Sequence, residues 1–176
     1  MNYSPSTIAR IADIYAGIHV KTGSIANATY LLTGGTQTEI FDVVGRVLVA
    51  QLFLEVETVC SAHATQVLFN CTFTTPSIAV NSMCAKCAAI TSLGVGGRVV
   101  FVGGAVATNA VITDSPGLSD VVCVSPHIVG GVTSAGVNYV GTIGILASDA
   151  SQTSGAVRGH IFYVPLSDGA YISAKL

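Results

Sequence analysis

Two cysteines three apart, Cys84-x-x-Cys87, have the spacing with which a pair of thiolates grips one tetrahedral ion. They make half of a structural zinc site. Cys60, Cys71, Cys123 or His63 would have to complete it from elsewhere in the fold, because the chain has no second C-x-x-C and no H-x-x-x-H. A redox pair of this spacing needs a thioredoxin-like βαβ setting, which the surrounding pattern does not supply. The five cysteines are an odd number, whereas a secreted disulfide framework favours an even one. They read as reduced thiols acting as small buried hydrophobes.

Nucleophilic hydrolysis can be assembled on paper from Cys123 or Ser125 with His127 and Asp120. Nucleophile, base and orienting acid must converge in space, and within the segment DVVCVSPH they alternate faces or are split by Pro126. There is no G-x-S-x-G elbow. The histidines at 19, 63, 127 and 160 each stand alone in sequence, and a single histidine on a strand reads first as a structural residue. Glu55 and Glu57 have the types of a glycosidase pair, but two residues apart on a strand they read as a solvated face. The run Gly94-Val95-Gly96-Gly97 lacks the Walker lysine and a following helix, so it does not make a phosphate loop. Asn-x-Ser/Thr matches at Asn2, Asn27 and Asn70 matter only on a secretory route. These residues point to no enzyme, no cofactor and no metal.

The elements that would hold these residues are strands. Arg46–Cys60 is the clearest, with Gln51, Phe53, Glu55 and Glu57 alternating against Leu52, Leu54, Val56 and Thr58. At its start Val47, Leu48 and Val49 make both faces apolar. Further strands are predicted at Tyr15–Val20, Tyr30–Leu32, Glu39–Val44, Thr65–Phe73, Arg98–Val102, Val121–Val124, Tyr139–Ala147, Ala156–Val164 and Ala170–Ser173, each rich in Val, Ile, Thr or aromatics. Gly- and Pro-containing turns separate them. Helix is predicted only at Ser6–Tyr15 and Asn81–Thr91. About ten short strands at this spacing imply an all-β, single-domain sandwich or jelly-roll-like barrel spanning residues 1–176, with residues 1–15 as a candidate N-terminal arm.

Composition narrows the company this domain keeps. The 176 residues carry 7 Lys+Arg and 9 Asp+Glu, so 9% are charged, against a typical ~25%. Hydrophobic residues make up 51% and the mean hydropathy is +0.68, which excludes intrinsic disorder. A net charge of −2 excludes electrostatic nucleic-acid binding as the main activity. A monomer of this mass exposes roughly 8,000 Å², and so few charges leave much of that area to be covered by copies of the chain or by a partner. Thr58–Ala85 and Val121–Ser148 lack Asp, Glu, Lys and Arg, yet Asn, Thr, Ser, Pro and Gly break them into strands and turns, so no membrane span is expected. Six Tyr, six Phe and no Trp make a poor aromatic girdle for a membrane barrel. The opening MNYSPSTIAR has neither a basic start nor an apolar core, so no secretory signal is expected.

Two stretches carry a resemblance. Val44–Thr58, VGRVLVAQLFLEVET, follows a Thr/Gly-rich lead-in, TGGTQTEIFDV. The second is Ser154–Ala174, SGAVRGHIFYVPLSDGAYISA. Both are similar to segments of small all-β structural proteins of tailed bacteriophages, in which a penultimate strand of the form G-A-V-K-W-x-L-x-Y-x-P-L-x-x-G-A closes the domain. Gly155, Ala156, Val157, Arg158, Tyr163, Pro165, Leu166, Gly169 and Ala170 occupy matching positions, and Gly159 stands where that pattern often has Trp. The matching parts cover about a quarter of the chain.

The resemblance implies a virion protein made in the host cytoplasm and displayed on the capsid surface as a decoration or cement protein. Its partners would be the major capsid protein and copies of itself in a homotrimer, with edge strands pairing across subunits and no nucleic acid or membrane involved. The alternative is a tail or spike module that binds a host receptor or glycan, and a Cys- or Zn-dependent enzyme stands third. Tyr3, Ile8, Ile11 and Tyr15 in the N-terminal arm are the expected assembly interface.

Overall fold

The computed structural model describes residues 17–31, 37–103, 109–113, 126–148 and 150–176. The arm residues Tyr3, Ile8, Ile11 and Tyr15, the helix expected at Ser6–Tyr15 and the strand expected at Val121–Val124 lie outside them.

The fold is all-β, built from two antiparallel sheets. The first orders β1 (Ile18–Lys21), β11 (Ala156–Pro165), β4 (Arg46–Thr58), β7 (Arg98–Phe101) and β8 (Val111–Thr113). In addition β2 (Ile25–Ala26) pairs with β11, and β9 (His127–Gly130) pairs with β4. The second orders β12 (Tyr171–Ala174), β3 (Thr38–Val44), β10 (Val140–Ser148), β5 (Gln66–Thr75) and β6 (Ser77–Ser82). Phe69 of β5 meets Phe101 of β7 edge-to-face, ring centroids 6.2 Å apart, and inward residues of both sheets form one apolar cluster. This is the sandwich of the two expected architectures. Its open sides are stitched without closing into a barrel. On one side Gly23 N–H donates to the Leu176 carbonyl (2.7 Å); on the other Ala110 N–H donates to the Ala85 carbonyl (3.2 Å).

A bulge explains the double-faced start of β4. Tyr163 pairs with Val49 and Phe162 with Gln51, so Ala50 has no opposite number on β11. One extra residue reverses the side-chain alternation. Val47 and Val49 point inward before the bulge, and Leu52, Leu54 and Val56 after it; all five are buried.

Two expectations are corrected. Asn81–Thr91 is not helical. Asn81 and Ser82 end β6, and the chain continues beside β5, where Met83, Cys87 and Ile90 N–H groups donate to the carbonyls of Phe69, Val67 and Thr65. A helix would turn those donors back on its own backbone and leave this flank of β5 unpaired. Tyr30–Leu32 is not a strand at its start, because Tyr30 ends the single helical turn α1 (Asn27–Tyr30), closed by Leu31 N–H on the Asn27 carbonyl at 2.9 Å. The short strands β2, β6, β8 and β9 are too brief, or too mixed in character, for alternation to announce.

The largest buried polar group, Gln152, ties the loop after β4 to the segment before β11. Its Oε1 accepts from Ser61 N–H and Oγ–H, both at 2.8 Å, and its Nε2 donates to the His63 carbonyl at 2.9 Å and Thr65 Oγ1 at 3.0 Å. With 1% of its surface exposed, its loss would strand several buried partners. Gln152→Ala is expected to lower unfolding free energy by about 2–4 kcal/mol in urea titrations.

The outer face of the second sheet is polar. Lys175 Nζ lies 2.6 Å from Glu39 and 3.4 Å from Asp42, and Thr142 Oγ1 donates to Glu39. The hydrogen bond from Lys175 is the main reason the Glu39 carboxyl titrates below its ordinary value, burial opposing it. A lowered folded value means the contribution is present above the ordinary carboxylate range and is lost as pH falls through the folded value. These groups are well exposed, so Lys175→Met should cost about 0.2–1 kcal/mol at neutral pH. Its stability difference from wild type should vanish in acid, read by thermal melts across pH.

Candidate functional site

Cys84 and Cys87, the candidate half zinc site, are taken up by the sheet. Cys84 Sγ accepts from Phe69 N–H at 3.4 Å and Cys87 Sγ from Val67 N–H at 3.2 Å. The two sulfurs stand where a neighbouring strand would offer carbonyls. Cys60 Sγ likewise accepts from the Asn27 amide at 3.4 Å. Burial raises all three thiols above the ordinary value, Cys87 to about 11, and raises Cys71 as well. Among the described residues no group of three His, Cys, Asp or Glu converges as a metal site. Cys123, Ser125 and Asp120 lie outside the described residues. His127, their would-be base, sits on β9 with its ring edge-on to Phe101 at 5.7 Å.

The remaining motifs resolve into structure. Glu55 pairs with Arg98 at 3.2 Å and Glu57 with Arg158 at 2.6 Å, so the two carboxylates neutralise guanidinium groups on neighbouring strands. Residues 94–97 form a tight turn closed by Gly97 N–H on the Gly94 carbonyl, and Gly96 N–H donates to the Val56 carbonyl of β4. Asn27 and Asn70 are buried, which withholds both from glycosylation in the folded chain. His63 uses its carbonyl to hold Gln152.

The structure brings together what sequence spacing keeps apart on the outer face of the first sheet. His19 Nε2 lies 3.1 Å from His160 Nδ1. The His19 ring is parallel to Phe162 at 4.3 Å, His160 is parallel to Phe53 at 4.8 Å, and the Arg98 guanidinium sits 5.0 Å from the centre of Phe53. Phe53 and Val100 are nearly buried although they belong to this outer face, opposite the core residues. Burial lowers His160 below the ordinary histidine value; Glu55 opposes this, while His19, Arg158 and Arg98 add to it.

A second surface lies at one end of the sandwich, where the β11–β12 turn meets the start of β4. Leu166 N–H donates to the Arg46 carbonyl at 2.8 Å, and Arg46 N–H donates to Ser167 Oγ at 3.0 Å. A Cβ on Gly130 would fall 2.0 Å from the Gly45 carbonyl oxygen, so only glycine allows β9 and the β3–β4 turn to approach so closely. Around them Ile128 (47% exposed), Val132 (38%) and Leu166 (45%) line a groove of about 540 Å³ with Arg46, Tyr139 and Ser167. Pro165, Leu166, Gly169 and Ala170 of the Ser154–Ala174 motif build this turn. Gly159, where that motif often has Trp, faces the core, and a Cβ there would lie 3.3 Å from Phe41. The phenyl ring of the opposite sheet fills the place.

Compared with protein-family models, curated proteins and solved structures, the chain matches none. No helix among the described residues is long and apolar enough to cross a membrane.

The buried sulfurs give a direct test. Cys60, Cys84 and Cys87 are expected to react with a thiol reagent at rates limited by unfolding at pH 8, and to react at once in denaturant, as read by mass spectrometry of labelled peptides. Rapid native labelling of Cys84 or Cys87 would contradict their role as acceptors for β5.

Proposed function

We propose that the chain is a virion structural protein, a decoration or cement protein that sits on a capsid surface as a homotrimer and bridges major capsid subunits. The observation that carries this reading is the set of exposed aliphatic side chains at one end, Ile128, Val132 and Leu166, in a chain of which only 9% is charged. The phage-like motif supports it, because its Pro165-Leu166 and Gly169-Ala170 pairs shape that end. The mechanism is mechanical, without catalysis or cofactor. Interfaces of about 800 Å² per partner, repeated by symmetry, resist the outward load of packaged DNA without any single strong contact. The stitched sides of the sandwich leave less free strand edge for pairing across subunits, which moves the burden of assembly to side-chain surfaces.

Immunogold electron microscopy of particles from the source tests this. Even labelling of heads is expected, and heads stripped of the protein should open at lower temperature. Leu166→Glu and Ile128→Glu, with far-UV circular dichroism unchanged, should fail to rebind stripped heads, and light scattering should give three times the 17.9 kDa chain mass. Gold at the tail tip would overturn the cement reading in favour of receptor or glycan binding, and unlabelled particles would overturn both.

A further inference from the structure

We propose that His19 and His160 form a binding site for a divalent transition-metal ion of the Zn²⁺, Ni²⁺ and Cu²⁺ class. The site does not depend on the capsid reading.

The two imidazoles meet head-on. Their nitrogens are 3.1 Å apart, while the ring centroids are 5.3 Å apart and the planes differ by 9°. The centroid separation exceeds the nitrogen separation by about two ring radii, so both nitrogens lie on the line between the rings. His19 Nε2 and His160 Nδ1 therefore face each other across one small gap. For metal–nitrogen bonds of about 2.0–2.1 Å, a 3.1 Å nitrogen separation subtends roughly 100° at the ion, between octahedral and tetrahedral angles.

The surroundings favour the same use. His19 lies on β1 and His160 on β11, adjacent strands in antiparallel register, so the backbone fixes their separation. Phe162 and Phe53 each lie parallel to one of the rings. Loading an ion beside the nitrogen–nitrogen line requires each imidazole to turn within its own plane, a motion that a parallel phenyl partner does not block. In the empty pair one of the two facing nitrogens carries the proton of the hydrogen bond. On loading, that ring moves its proton to its other nitrogen, both rings stay neutral, and two metal-bound waters leave. Nearby guanidinium charge is matched: Arg98 pairs with Glu55 and Arg158 with Glu57. Lys21 stands opposite His160 on β1 and holds the affinity down. Water completes the coordination shell. Imidazole nitrogen suits Zn²⁺, Ni²⁺ and Cu²⁺, and not Mg²⁺ or Ca²⁺.

Calorimetric titration of Zn²⁺ and Ni²⁺ into the full chain at pH 7.5 tests the assignment. One equivalent should bind, with affinity at least tenfold weaker in His19→Gln and in His160→Gln and unchanged in His63→Gln and His127→Gln. Sub-stoichiometric Ni²⁺ added to wild type should broaden the ring-proton NMR signals of His19 and His160 first, a readout that needs no variant to fold. Absence of binding, equal loss in all four variants, or first broadening at His63 or His127 would overturn the site.

Discussion

The antiparallel ladder between β4 and β11, with its bulge at Ala50, sets the direction of the side chains along the centre of the first sheet. β4 pairs with β11 along one side and with β9 and β7 in turn along the other, so its register is copied into most of the first sheet. The extra residue lets Val47 and Val49 at one end, and Leu52, Leu54 and Val56 at the other, all reach the same core. Without that phase change one of the two sets would face water, at a cost of about 1.5–3 kcal/mol for each exposed aliphatic side chain. The same register places Phe53 opposite His160 and Gln51 opposite Phe162, and so creates the aromatic row on the outer face.

How much of this was legible in the sequence follows from what kind of information each feature needs. Long strands announce themselves: Arg46–Thr58, Ala156–Pro165 and Val140–Ser148 lie within a residue or two of the predicted spans. Asn81–Thr91 misled because Ala and small residues favour helix locally, while the sulfur acceptors and the free flank of β5 act at long range and decide otherwise. The pairing of His19 with His160 spans 141 residues and depends on strand order and register, neither of which periodicity contains. The end of the sandwich around Leu166 was partly visible in Pro165-Leu166 and Gly169-Ala170, but of its other wall Ile128 lies on a strand too short to show alternation and Val132 just beyond it.

Residues that look like chemistry in the sequence answer a different demand in the structure. A buried N–H must find an acceptor, because leaving it unpaired costs about 1–3 kcal/mol. Beside β5, Cys84 and Cys87 meet that demand for Phe69 and Val67; near α1, Cys60 meets it for Asn27. A thiol is small and apolar enough to sit in the core and polarisable enough to accept a weak hydrogen bond. Its spacing of three then follows from the path of an irregular strand, in which Cys84 and Cys87 fall beside N–H groups two residues apart on β5.

The placement of charge separates the outer surfaces. Arg98, Glu55, Arg158 and Glu57 neutralise one another on the outer face of the first sheet, and Lys175, Glu39 and Asp42 do so on the second. These matched sets gather at the flat faces and leave the end around Ile128, Val132 and Leu166 with Arg46 and Asp168 as charged neighbours. Covering this end removes aliphatic surface from water and desolvates fewer charges than covering either sheet face, where desolvation is repaid only by near-ideal pairing. On the capsid reading proposed above, a partner that seeks area at least cost would meet this chain end-on, which would leave the outer face of the first sheet open to small solutes that its histidines can hold.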